Sequence, residues 1–180
     1  MKYRKAAFAA ALVTSAALAT PASAWTALDK EGECGFVGLF EGPGNTRIML
    51  KETYADFQEN EVWIAVMNDN WSLEEGDDTG TIKFENSINE AWLSNTATAV
   101  TNGFALMTRY EYVDDVFGES NYGALTLYRD GKEFDGLKMG NMFSVWRKYE
   151  ACRRPWVAAR EKVERDREIE QKYGGDPFAD

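Results

Sequence analysis

Residues 124–152 read ALTLYRDGKEFDGLKMGNMFSVWRKYEAC, and this stretch decides the fold. Its first half predicts two strands, Ala124–Arg129 and 132–139, on either side of Asp130-Gly131. A two-residue Asp-Gly loop is a strong hairpin signal, because a type I′ turn needs positive φ at both positions. The second half changes period. Met142, Val145, Trp146, Tyr149 and Cys152 recur at i, i+3, i+4, i+7 and i+10, one apolar stripe of a helix. Asn141 stands where a helix N-cap is expected.

Upstream the text is strand-like from Trp25 to Tyr128. Segments 35–40 and 46–51 flank Glu41-Gly42-Pro43-Gly44-Asn45, a turn-rich break that predicts a hairpin loop. Residues 62–67, Val-Trp-Ile-Ala-Val-Met, form an uninterrupted apolar run, which predicts a central strand covered on both faces. Segment 81–85 alternates, with Ile82 and Phe84 on one face. Segment 92–101 is rich in Thr, Val and Ala and suits a strand. Phe104, Leu106, Thr108, Tyr110 and Tyr112 are expected on one face of the next. The expected fold is mainly β (α+β): an antiparallel β-sandwich or curled sheet, a helix packed near the C-terminus, and a charged C-terminal helix.

That last helix follows Arg153-Arg154-Pro155, where proline is expected to break or kink the chain. Residues 156–173 alternate in charge, and Val157, Val163 and Ile169 lie too far apart to make a stripe. A solvated helix held by i,i+4 ion pairs is the expectation, with a docking arm that orders on a partner as the alternative. Residues 174–180 are expected to be a disordered tail.

The first 24 residues read as an address. Lys2, Arg4 and Lys5 precede a 13-residue apolar run, and Ala22-Ser23-Ala24 supplies the small residues of a cleavage site, which is the pattern of a secretory signal peptide. The run is shorter than the roughly 20 residues needed to cross a bilayer, so no stable membrane insertion is expected once it is removed. Cleavage leaves residues 25–180, whose formal charge is −13 against −10 for the whole chain. The expected location is the periplasm or the exterior. In that oxidising setting Cys34 and Cys152, the chain's two cysteines, are expected to form a disulfide. Residues 25–152 then make one stapled β-rich domain and 153–173 a charged helix outside it.

Composition excludes several chemistries. The chain has no histidine, which removes Ser-His-Asp and Cys-His catalysis and imidazole zinc ligands. Strong acidity argues against nucleic acid and anionic membranes as partners. Sequences of the forms SxxK, GxSxG, GxxxxGK[ST] and GxGxxG are absent, so no cofactor is indicated. The acidic loop Glu74-Glu75-Gly76-Asp77-Asp78, with Asn68-Asp69-Asn70 before it, is rich in oxygens but lacks the spacing of an EF-hand; Asp114-Asp115 and Asp176 add no motif. A glycosidase needs two carboxylates about 5–10 Å apart, and the 30 acids of this chain select no pair. Trp63 and Trp146 fall in core-patterned segments, so packing is the expectation for both.

One order of landmarks resembles a known group. Asn70-Trp71-Ser72, Gly76, the alternating 81–85, Trp92, the Arg129-Asp130-Gly131 hairpin and a helix closing in Cys152 resemble small exported proteins of Alphaproteobacteria. More distantly the pattern is similar to invasion-associated locus B-like and secretion-accessory periplasmic proteins. Asn141, where that pattern has Gly, and the charged helix after Cys152 depart from it. The resemblance implies a compact β-rich periplasmic domain and transfers no catalytic, metal-binding or cofactor-binding residue.

The expected function is a non-catalytic periplasmic binding or accessory protein acting by protein–protein contact, with a cationic partner favoured by the charge. The alternatives are an envelope-glycan hydrolase using a carboxylate pair and a calcium-stabilised structural domain.

Overall fold

The structure is a computed structural model that describes residues 24–30, 32–53, 59–118 and 123–173. The expected signal peptide, residues 1–24, apart from Ala24, and the expected tail, residues 174–180, lie outside the described residues.

Nine strands form one antiparallel sheet: β1 (Ala24–Lys30), β2 (Glu33–Phe40), β3 (Thr46–Thr53), β4 (Glu61–Met67), β5 (Asp78–Asn86), β6 (Trp92–Val100), β7 (Gly103–Arg109), β8 (Ala124–Arg129) and β9 (Lys132–Lys138). Their spatial order is β1-β2-β3-β4-β7-β6-β5-β8-β9, so the curled-sheet form of the expected fold is the one adopted, a half-barrel. Asp130 (φ 50°) and Gly131 (φ 79°) have the positive φ angles that a type I′ hairpin requires, and β8 pairs with β9 across them. The 41–45 break likewise joins the paired β2 and β3.

Alternation puts one row per strand inside. Phe36, Leu50, Ile64 and Leu106 are successive cross-strand partners over β2, β3, β4 and β7, and all four are buried. Phe84 continues the interior between Leu93 and Leu127. Trp25 ties the first strand into this core. Its ring meets Phe36 and Phe40 edge-on at 5.5 and 5.2 Å, and its indole N–H donates to the Met139 carbonyl beyond β9. Gly38, its register partner, leaves the space: a Cβ there would lie 2.4 Å from the indole.

Two helical pieces fill the concave side. A single α-turn, α1 (Tyr110–Val113), runs into a π-helical turn over Asp114–Gly118, which buries Val113, Val116 and Phe117. The long helix α2 (Phe143–Tyr173) lays its predicted stripe on β1 and β2, with Met142, Val145, Trp146 and Tyr149 buried. The Asn141 side chain accepts the Phe143 N–H at 3.0 Å, one position ahead of the cap. No helix among the described residues is long and apolar enough to cross a membrane.

Three expectations need correction. The helix does not stop at Pro155; α2 is continuous through it. Pro155 and Ala151, whose carbonyl loses its i+4 partner, are both exposed, so water can take that carbonyl, while Arg153, Trp156 and Val157 anchor the chain on either side. Val62–Met67 is not covered on both faces: Val62, Ile64 and Val66 are buried, but Trp63 is 43% exposed. Tyr110 and Tyr112 do not continue the row of Phe104, Leu106 and Thr108, because the Tyr110 N–H bonds to the Asn60 carbonyl and the chain turns helical there.

Candidate functional site

Cys34 and Cys152 are disulfide-bonded, with Cα atoms 5.7 Å apart. The bond ties the start of β2 to the fourth turn of the stripe. Beside it lies a polar cluster that sequence reasoning missed. Glu52, the register partner of Cys34, is 1% exposed, and Arg153, the residue after Cys152, is 5% exposed. Arg153 Nε donates to Glu52 Oε2 at 3.0 Å, Nη2 reaches Asn60 Oδ1 at 3.4 Å, and the guanidinium lies over the Tyr110 ring, 3.3 Å from its centroid. The Tyr110 hydroxyl in turn donates to Glu150 at 2.6 Å.

Burial is the strongest influence on the Glu52 carboxyl and raises it above the ordinary value of 4.5, against the pull of Arg153 and Tyr149. Tyr149 and Tyr110 are both pushed up, chiefly by burial and then by their carboxylate neighbours. The Tyr149 hydroxyl lies against Glu52 without full hydrogen-bond alignment, which leaves Glu52 Oε1 and Tyr149 Oη unpaired. Glu52 and Arg153 are buried, and their pairing acts as a second tie between helix and sheet. The pattern signal for Arg153 was available: it follows Tyr149 by four positions and so extends the stripe.

On the outer sheet face over β5, β6 and β8 the Lys83 ammonium lies 5.6 Å from the Trp92 ring and 5.1 Å from the Tyr128 ring and pairs with Glu85, while Trp92 stays 58% exposed. Over β3, β4 and β7 the cross-strand partner of Trp63 is Lys51, which pairs with Glu33 at 3.0 Å. There Met49, Ala65 and Ala105 are cross-strand neighbours, as are Trp63 and Met107. The small alanines leave a shallow trough between Trp63 and Met67, with Met49 and Val100 beside it. Glu61 and Arg109 border a second hollow on the other side of Trp63. Trp63 is the exposed apolar side chain here and Met49, Met67 and Met107 are half-buried beside it; Trp and Met are both enriched in contact surfaces. Residues 25–152 carry 10 basic and 23 acidic side chains, so this patch sits on a strongly negative body.

A third feature lies at the mouth of the half-barrel. Trp71 stacks on Phe104 at 5.8 Å, and Phe134 meets both edge-on at 5.7 and 6.2 Å. They line a hollow of about 340 Å³. The landmarks Asn70-Trp71-Ser72 and Arg129-Asp130-Gly131 therefore come together in space: the Asp130 carboxylate accepts the Thr81 N–H at 2.9 Å, and Arg129 forms part of the hollow.

The acidic loop 74–78 is exposed, with Asp77 Oδ2 accepting the Glu74 N–H at 2.8 Å in a tight turn. No group of three potential metal ligands occurs among the described residues. The hollows beside Trp63, at the mouth and between β1 and α2 hold at most one carboxylate each, Glu61. Comparison of the chain with family models, curated proteins and solved structures finds no match.

Proposed function

We propose that this is a non-catalytic exported binding protein that works by protein–protein contact through the outer face of β3, β4 and β7. The observation that carries the proposal is Trp63, 43% exposed on a sheet face that also carries Met49, Ala65, Met67, Ala105 and Met107, with Arg47, Lys51, Glu61 and Arg109 around them. The occupant is a basic protein. Its charge complements the excess of acids on residues 25–152, and long-range attraction to that surface speeds encounter. Glu52, whose carboxyl burial raises, is spent on Arg153 inside the core, which supports a structural rather than a chemical use.

The test is capture from a periplasmic extract at low and high salt by the wild type, by Trp63→Ser and by Ile88→Ser. Ile88 is 60% exposed and lies outside the patch, so its variant is the control. The expected result is a captured protein of net positive charge, retained by wild type and Ile88→Ser, released by salt and lost with Trp63→Ser. Capture that Trp63→Ser leaves unchanged, that salt leaves unchanged, or that yields an acidic partner contradicts the proposal.

A further inference from the structure

We propose that the hollow at the mouth of the half-barrel, between Trp71, Phe104, Phe134 and Arg129, binds a small aromatic carboxylate. The site is separate from the outer face and does not depend on it.

Its size comes first. About 340 Å³ falls at the lower end of the range that holds small organic ligands, and a mostly apolar wall with a few convergent polar groups is the usual composition of such sites. The wall is built before any ligand arrives. Buried Asn68 holds the turn that carries Trp71: its amide donates to Thr46 Oγ1 at 2.8 Å and to the Pro43 carbonyl at 3.0 Å. Its own carbonyl groups accept the Asn70 and Trp71 N–H groups at 2.8 and 2.9 Å. Phe104 is 2% exposed, whereas Phe134 is 40% exposed, so one ring is floor and the other is a flank open to solvent.

The ring chemistry argues for a planar guest. Trp71 and Phe104 are 13° from parallel, and Phe134 stands at 65° and 76° to them. A further ring extends that edge-to-face arrangement, which suits aromatic quadrupoles better than a flexible alkyl chain does.

The charge argues for an acid. Arg129 is the one charged residue of the wall. It donates to the Asp78 carbonyl at 2.6 Å and forms no ion pair among the described residues. Asp130, its chain neighbour, and Asp78, whose carbonyl it bonds, each accept a backbone N–H through Oδ1 at 2.9 Å. A guanidinium without a carboxylate partner beside an aromatic slot presents a fork that matches one carboxylate. A multiply charged phosphate fits less well, because one arginine on so acidic a body does not offset two negative charges.

The test titrates the full protein with 3-phenylpropionate, 3-phenylpropanol and 3-phenylpropylammonium by calorimetry, in the wild type, Arg129→Gln and Phe134→Ser. Both substituted side chains are exposed, and far-UV circular dichroism verifies each variant's fold. The acid should bind about tenfold tighter than the alcohol, as expected for one charge-assisted contact, and the ammonium should bind weakest. Arg129→Gln should bring the acid down to the alcohol's level, and Phe134→Ser should weaken all three. The proposal is overturned if no probe binds, if the acid has no advantage, if that advantage survives Arg129→Gln, or if Phe134→Ser changes nothing.

Discussion

Glu52 and Arg153 lie 101 positions apart and meet at 3.0 Å inside the core. Removing one member of a buried pair strands the other, at a typical cost of about 3–5 kcal/mol, whereas replacing both with apolar residues of similar size is often neutral. Arg153→Met is therefore expected to destabilise strongly in urea unfolding, and Glu52→Leu combined with Arg153→Met to recover most of the loss. The pH dependence carries a sign as well. Burial raises the Glu52 carboxyl above 4.5, so the native protein holds this proton more tightly than the unfolded chain does. Its contribution to stability is complete below the unfolded value and declines as pH rises through the folded one. The stability of wild type minus that of Glu52→Gln should thus fall as pH rises above the ordinary glutamate value of about 4.3. A difference that grows with pH would mean that the Arg153 charge outweighs burial. Arg153 falls on the stripe spacing four positions after Tyr149, but nothing around residue 153 points to Glu52, and Arg-Arg-Pro reads as a break. Its partner lies on a strand a hundred residues earlier, and only the packed fold brings the two together.

At the scale of elements, α2 is the informative case. Its stripe from Met142 to Cys152 could be read directly, because helical period and apolar choice agree there. Continuity past Pro155 could not, since proline's local penalty argues for a break while tertiary anchoring of Arg153, Trp156 and Val157 overrides it. Pro155→Ala should restore the bond to the Ala151 carbonyl and stabilise by up to about 3 kcal/mol, seen as a higher urea midpoint at unchanged slope. An unchanged midpoint would place the end of the cooperative helix before residue 155. Strand β4 shows the opposite failure. Its apolar run was legible, but not that Trp63 and Met67 face outward, because an outer face left bare has the same sequence pattern as one that is covered. The Asp130-Gly131 hairpin was fully legible, since its positive φ angles are a local requirement. The mouth hollow was legible only as scattered landmarks: Trp71 and Phe134 are 63 positions apart, and no short-range pattern joins them.

On the scale of the whole molecule, the Cys34–Cys152 bond spans 118 positions and encloses the strands from β3 to β9 together with the packed turns of α2. Reduction should lower stability by about 2–4 kcal/mol. Cys34→Ala and Cys152→Ala should each cost about as much as the double change, because either alone breaks the bond. Unfolding curves that coincide with and without reductant would remove the staple from the account. The proposed contact surface is the outer face of β3, β4 and β7, not the charged end of α2. Hydroxyl-radical footprinting of the captured complex tests that claim most directly, since tryptophan and methionine report by oxidation. Protection of Trp63, Met49, Met67 and Met107 is expected on complex formation, with residues 160–172 unchanged. Protection confined to residues 160–172, with Trp63 oxidised as fast as in the free protein, would contradict it.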